Sequence, residues 1–146
     1  MIFLRFPSHF PVRATEWMLA GMKTTMGIGF LSPIPFFDNP AMRGLAAIGS
    51  QESWGIVAFV AGVVHLTMLY INGTWRRSPH WRGACSLFGM MFWVQILIGF
   101  AGSPVATSAW LMYPWLIIFS ARNVWVAWTD ARLSDEKAKV EYGGGR

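Results

Sequence analysis

The stretch GACSLFGMMFWVQILIGFAGSPVATSAWLMYPWLIIFSA, residues 83–121, contains no Asp, Glu, Lys or Arg and is broken only by Gly102-Ser103-Pro104. An apolar run of about 18 residues suffices for one helix to cross the roughly 30 Å hydrocarbon layer of a bilayer. This stretch therefore predicts two membrane helices joined by a tight turn. Gly102 reads as a helix stop, and Ser103-Pro104 as the N-cap and first position of the next helix. The spacing predicts spans over about 84–102 and 105–121, packed as antiparallel neighbours. The second is expected to continue as a helix past Trp128 towards Lys139, with Pro114 kinking it.

Further runs of the same kind lie upstream. Residues 54–75 carry no charge, and residues 17–37 carry only Lys23. The first gives a span over 54–71, with Ser50 and Glu52 placed as N-cap and first-turn residues, and Asn72-Gly73 as its stop. The second gives a helical stretch over 16–36 ended by Pro33 and Pro35, whose polar residues Glu16, Lys23 and Thr24 share one narrow face. Either it spans with that face turned to the other helices, or it lies flat in the interface. The expected fold class is thus an all-α integral membrane bundle of four spans, with three spans plus an interfacial N-terminal helix as the alternative.

Charge distribution chooses between them. If residues 16–36 span, Arg5, Arg13, Arg76, Arg77, Arg82, Arg122, Arg132, Lys137, Lys139 and Arg146 share one side, and Arg43 alone lies opposite. If they lie flat, Arg5, Arg13, Lys23 and Arg43 face the other eight. The positive-inside rule favours the first arrangement, with both termini cytoplasmic, in a bacterial inner membrane. Against it stands Lys23, since a lysine at mid-span costs about 2.5–3.5 kcal/mol on insertion scales. Residues 1–14, with two prolines and two arginines, are read as a surface segment without helix, residues 38–53 as an external connection with a helical turn over 41–48, and residues 131–146 as a cytoplasmic tail.

Composition agrees with a membrane setting: 54% of residues are hydrophobic and only 13% charged, where a soluble domain carries about 25%. Trp54, Trp75, Trp81, Trp110, Trp125 and Trp128 lie near predicted span ends, where the amphipathic indole prefers to sit. Trp93 and Trp115 do not, and are expected to pack between helices or against lipid tails. Cys85, the single cysteine, excludes an internal disulfide and a C-x-x-C site. The first apolar stretch is interrupted by Arg5, Pro7, Pro11 and Arg13, so no cleavable signal peptide is expected.

On the second span Gly55, Ala58, Gly62 and His65 follow one helix face. Small residues at that period let two backbones approach closely, which is how membrane helices associate. His65 then points into a protein interface, as a histidine bonded across helices, or as a proton carrier, a pH-sensitive contact or a haem ligand supplied jointly with a partner subunit. Bis-histidine haem within one chain is not expected, because His9 and His80 lie in surface segments. The loop holding Trp75, Arg76, Arg77, His80, Trp81 and Arg82 suits contact with anionic headgroups, or docking of an acidic partner; no nucleic-acid partner is expected. Lys23, Gln95 and Asn123 are further candidates for polar contacts within the bundle. No P-loop, hydrolase, kinase or dinucleotide motif occurs, and Glu16 is the one carboxylate placed within or at the edge of a span, so a non-enzymatic protein is expected.

The run Trp54-Gly55 through Gly62 and Leu66 to Ile71-Asn72-Gly73, followed by Trp75-Arg76-Arg77-Ser78-Pro79-His80-Trp81-Arg82, resembles small polytopic membrane proteins encoded by tailed phages and prophages of proteobacteria. The resemblance extends over about residues 15–130, and its W-R-R-S-P-H-x-R loop is the distinctive part. It implies no established catalytic residue; the chain's size, several short spans, small-residue faces and charged cytoplasmic tail support the expectation of a non-enzymatic phage-type protein, holin-like or acting on the host envelope. A basic residue often stands in that pattern at the position of His65, which weighs against a haem ligand. The competing expectation is a small accessory or anchor subunit of a host membrane complex. Both imply association, as a homo-oligomer or with another membrane protein.

Overall fold

Hydrogen bonds at the chain's turns decide where each helix starts and stops. The computed structural model describes residues 13–74 and 79–143, and among these no strand forms. The helices are α1 (Ala14–Leu31), α2 (Arg43–Ala46), α3 (Gln51–Thr74), α4 (Pro79–Ala101) and α5 (Ala109–Gly143), with 3-10 turns at Phe36–Asp38 and Pro40–Met42. α3 and α4 are each long and apolar enough to cross a membrane. Of the 1–14 segment only residues 13 and 14 are described, and of the tail residues 131–143, all of them helical; Trp75, Arg76, Arg77 and His9 lie outside the described residues.

Helix ends differ from the sequence expectations in instructive ways. α1 stops at Leu31, not at 36, because the proline at 33 disfavours helical geometry at Ser32, which turns extended at ψ 160°. The Ser32 backbone N–H and hydroxyl both donate to the Gly29 carbonyl, at 3.1 and 2.6 Å, and close the helix. α3 begins at Gln51, where the Ser50 hydroxyl oxygen accepts the Ser53 N–H at 3.1 Å as an N-cap, and it runs through Asn72-Gly73 to Thr74. α4 begins at Pro79, not at 84, which uses proline's fitness for the first helical position and makes His80, Trp81 and Arg82 helical. α5 begins at Ala109, not at 105. Ser103 accepts the Val105 N–H at 3.2 Å as expected, but its hydroxyl lies 3.3 Å from the Pro40 carbonyl, and the first helical N–H groups go instead to the Thr107 and Ser108 carbonyls.

α1 and α3 pack antiparallel along their whole common length. Leu31 meets Gly55, Gly27 meets the backbone of Phe59, and Thr24 meets Gly62, so that a Cβ added at Gly27 or Gly62 would collide with the facing main chain. α4 and α5 form the second antiparallel pair, with Phe100 stacked on Tyr113 at 5.4 Å near one end and Gly83 facing Ala127 near the other. The connection between α1 and α3 folds back as a wedge against the end of α4. Leu45 is fully buried there, its carbonyl accepts the Trp54 indole N–H at 3.1 Å, and Gly44 and Gly99 pack main chain against main chain.

The interior has two unlike halves. Towards the α2 end lie Phe30, Leu45, Trp54, Phe92, Trp93, Ile96 and Phe100, an aromatic cluster in which Phe92 makes edge contacts with Trp54 and Trp93. Towards the opposite end the buried side chains include Glu16, Lys23, His65, Arg82, Ser86, Ser120 and Asn123. The lateral surface is largely apolar, with Met18, Ile28, Val60, Leu87, Met91, Leu111, Trp115 and Trp125 exposed.

Candidate functional site: a charged seam inside the bundle

Glu16 and Lys23 are seven residues apart, so they lie on the same face of α1, which turns inward against α3 and α4. Arg82 on the first turn of α4 is 2% exposed and grips the Glu16 carboxylate with two prongs, Nε at 3.0 Å from Oε2 and Nη2 at 2.5 Å from Oε1. Its remaining arm donates to Asp130 Oδ2 on α5 at 2.9 Å. One guanidinium thereby ties α1, α4 and α5 together, with a bidentate geometry that lysine could not supply. Deeper in the bundle, Lys23 Nζ lies 3.0 Å from Nδ1 of His65 on α3, and both residues are 1% exposed. Gly89 on α4 makes room for the ammonium, since a Cβ there would stand 2.8 Å from Nζ.

The formal charges balance. With His65 neutral, Glu16 and Asp130 offset Arg82 and Lys23, so the seam as a whole carries none. Lys23 itself has no carboxylate within ion-pair reach among the described residues. The cations of Lys23 and Arg82 both act on the His65 ring. When the ammonium donates to Nδ1, the ring proton must sit on Nε2, which is buried without a hydrogen-bond partner. A second proton on the pair would place two cations about 3 Å apart, a repulsion of about 5 kcal/mol at an effective dielectric near 20. In this geometry the pair holds one positive charge.

Asn123 joins the same end of the bundle, accepting the Thr15 hydroxyl at 2.8 Å, and Arg122 Nη1 lies 3.5 Å from that hydroxyl. Of the residues singled out in the sequence, the structure brings together His65, Lys23 and Arg82, and places Gly55, Ala58 and Gly62 within the chain's own α1–α3 contact. Arg82 had been expected in a lipid-facing loop; it is helical and interior instead, because Pro79 starts α4 a turn earlier. Gln95 is exposed on the outer surface, not in a bundle contact, because Trp93 and Ile96 take the inward face of that turn of α4. Trp81 stays exposed, and His80 pairs with Asp135 at 3.4 Å on the surface. Trp54 is buried under the α2 wedge, whereas Trp115 faces outward.

Haem does not fit at His65. Its Nδ1 is taken by Lys23, and Gly89 and Thr24 close over the seam. Two grooves among the described residues do not reach the ring: one of about 570 Å³ lies between α4 and α5 beside His80, Ala127 and Arg132, and one of about 750 Å³ lies between α1 and α5 beside Met26, Trp93 and Tyr113.

The partners of Arg82 were invisible to motif reading. The available signal was the seven-residue repeat of Glu16 and Lys23, which marks an inward charged stripe, together with an arginine three residues after a proline able to start a helix. Compared with protein-family models, curated proteins and solved structures, the chain matches none.

Proposed function

We propose that the chain is a four-span protein of a bacterial inner membrane, with both termini cytoplasmic, in which α1 and the first part of α5 cross beside α3 and α4. α1 has 18 residues, about 27 Å at 1.5 Å per residue, and lies antiparallel to α3 at the same depth. An interfacial helix would lie across the bundle. Placing Glu16 and Lys23 inward, each with a partner, removes the objection that Lys23 raised to spanning.

On this reading the protein is non-enzymatic and of the phage-encoded kind that acts on the host envelope, as the loop pattern implies, and it works as a closed bundle. The observation that carries this form over a holin-like pore is the sidedness of the polar groups. A pore built from several copies needs polar outer faces to line it, whereas here the charged groups within the membrane turn inward and the small-residue face of Gly55, Ala58 and Gly62 is occupied by α1. Thr25 and Thr67, exposed on the outside, give their hydroxyls to their own helices' carbonyls. The exterior is then apolar except for Gln95 on α4, a single amide too sparse to line a pore, and it remains for lipid and for the helices of a partner membrane protein.

Two measurements test this. Reporters fused after residues 14, 46 and 146 should place 14 and 146 on one side and 46 on the other; 14 and 46 on the same side would eliminate four spans. Vesicles containing the purified chain should retain an encapsulated dye, and release of the dye would restore the pore.

A further inference from the structure

We infer that Lys23 and His65 form a site for one exchangeable proton, reached from only one end of the bundle. The inference rests on the four-span reading for its place in the bilayer. Three observations on separate elements carry it. Lys23 and His65 share a single hydrogen bond at 3.0 Å, in a region where the ammonium has no anionic partner within ion-pair reach among the described residues. A lysine whose charge is held permanently in a membrane interior ordinarily has such a partner. His65 Nε2 is buried and unpartnered, and so is Ser86 Oγ, one turn along α4 from the Gly89 that faces Lys23, so hydrogen-bonding capacity is left over where a bare structural tie would have used it.

The third observation is the division of the interior. From Lys23 the polar groups continue towards one end only, through Arg82 and Glu16 to Asp130, whose side chain is 47% exposed. Towards the other end Phe92, Trp93, Trp54 and Ile96 fill the bundle without a charged side chain among them; the polar groups there are indole N–H groups and the hydroxyls of Tyr113 and Thr107. The site is therefore a blind one: protons enter and leave past Asp130, and the aromatic half closes the far side.

The charged and titratable groups acting on the pair are Arg82 and the half-buried Cys85, both from α4; Glu16 from α1 and Asp130 from α5 meet Arg82 beyond them. The exchange is balanced as follows. In the loaded state the Lys23 ammonium donates one N–H to His65 Nδ1, and Nε2 carries the ring proton. On unloading, one Lys23 N–H bond breaks and its proton leaves towards the carboxylates and water. The neutral amine and neutral ring then remain as a pair of weak donors and acceptors, and the Glu16, Arg82 and Asp130 group is left with one net negative charge. Reloading reverses each step, and no electron is moved.

The test uses the full chain, labelled with ¹⁵N-histidine, in lipid nanodiscs, read by nitrogen NMR from about pH 5 to about pH 11, a range that brackets the ordinary imidazole and amine values. His65 should stay neutral with its proton on Nε2, and its Nδ1 resonance should show one titration step as the lysine unloads. Lys23→Arg keeps a cation that does not deprotonate, so the step should be lost while the fold is kept. Lys23→Met should also lose it. A His65 Nδ1 resonance that does not move with pH in the wild type, or a step that survives in Lys23→Arg, would overturn the proposal. In vesicles of known orientation the step should follow the pH of the bath facing Asp130 and ignore the other; equal response to both would refute the one-sided access while leaving the topology, read by the reporters, intact.

Discussion

Replacing Arg82 with methionine isolates the tie between α1, α4 and α5. Methionine keeps much of the side-chain stem and removes the guanidinium, so Glu16, 3% exposed in its side chain, loses both hydrogen bonds it accepts from Arg82. Removing one partner of a buried ion pair typically costs about 3–5 kcal/mol, because the other charge stays buried and uncompensated. The Asp130 arm adds little, since that carboxylate is nearly half exposed and water can replace the guanidinium. The expected loss is therefore about 3–5 kcal/mol, or two to three and a half decades in the folding equilibrium at 1.4 kcal/mol per decade. Glu16→Leu combined with Arg82→Met should recover most of it, because replacing a buried pair with apolar groups is often neutral. Reversible unfolding in mixed micelles, followed by tryptophan fluorescence, gives both numbers. A single mutant within about 1 kcal/mol of wild type, or a double mutant whose cost is the sum of the two singles, would show that α1 is not held by this pair.

Gly62→Leu drives a side chain into the Thr24 backbone and should destabilise the folded chain by at least about 1–3 kcal/mol, whereas Val60→Leu on the exposed face should stay within about 0.5 kcal/mol, both by the same unfolding assay. Crosslinking in native membranes should give the same oligomer pattern for whatever Gly62→Leu protein folds. Leu45→Ala empties the wedge under Trp54 and should cost about 2–5 kcal/mol, with a red-shifted tryptophan emission as water gains access. Ser50→Ala removes the N-cap of α3 and should cost about 0.5–2 kcal/mol in thermal unfolding.

The helical fold and the two helices long and apolar enough to cross a membrane, α3 and α4, were legible through long uncharged runs, and the stripe of Glu16 and Lys23 was legible through helical period. What the sequence could not supply was whom that stripe meets. Glu16 and Arg82 are 66 residues apart, and their pairing depends on the order in which helices pack, which no local pattern encodes. The Arg82 reading failed for a more local reason: two further arginines just before Pro79 suggested a continuous surface loop, while the proline in fact opens a helix. The turn at Ser103-Pro104 misled in the opposite sense. Its cap geometry forms, but the serine is engaged across the bundle with Pro40, and the helix waits for Ala109.

The separation of Glu16 from Arg82 also sets a timetable for biogenesis. A ribosome adding about 5–20 residues per second needs roughly 3–13 s to make the 66 residues between them. On the proposed four-span reading α1 carries, during that interval, a carboxylate and an amine that lipid would reject, and His65, which meets Lys23, emerges only partway through. That reading requires the insertion machinery to shelter α1 until α4 follows, so that the first hairpin leaves the translocon late, together with the second.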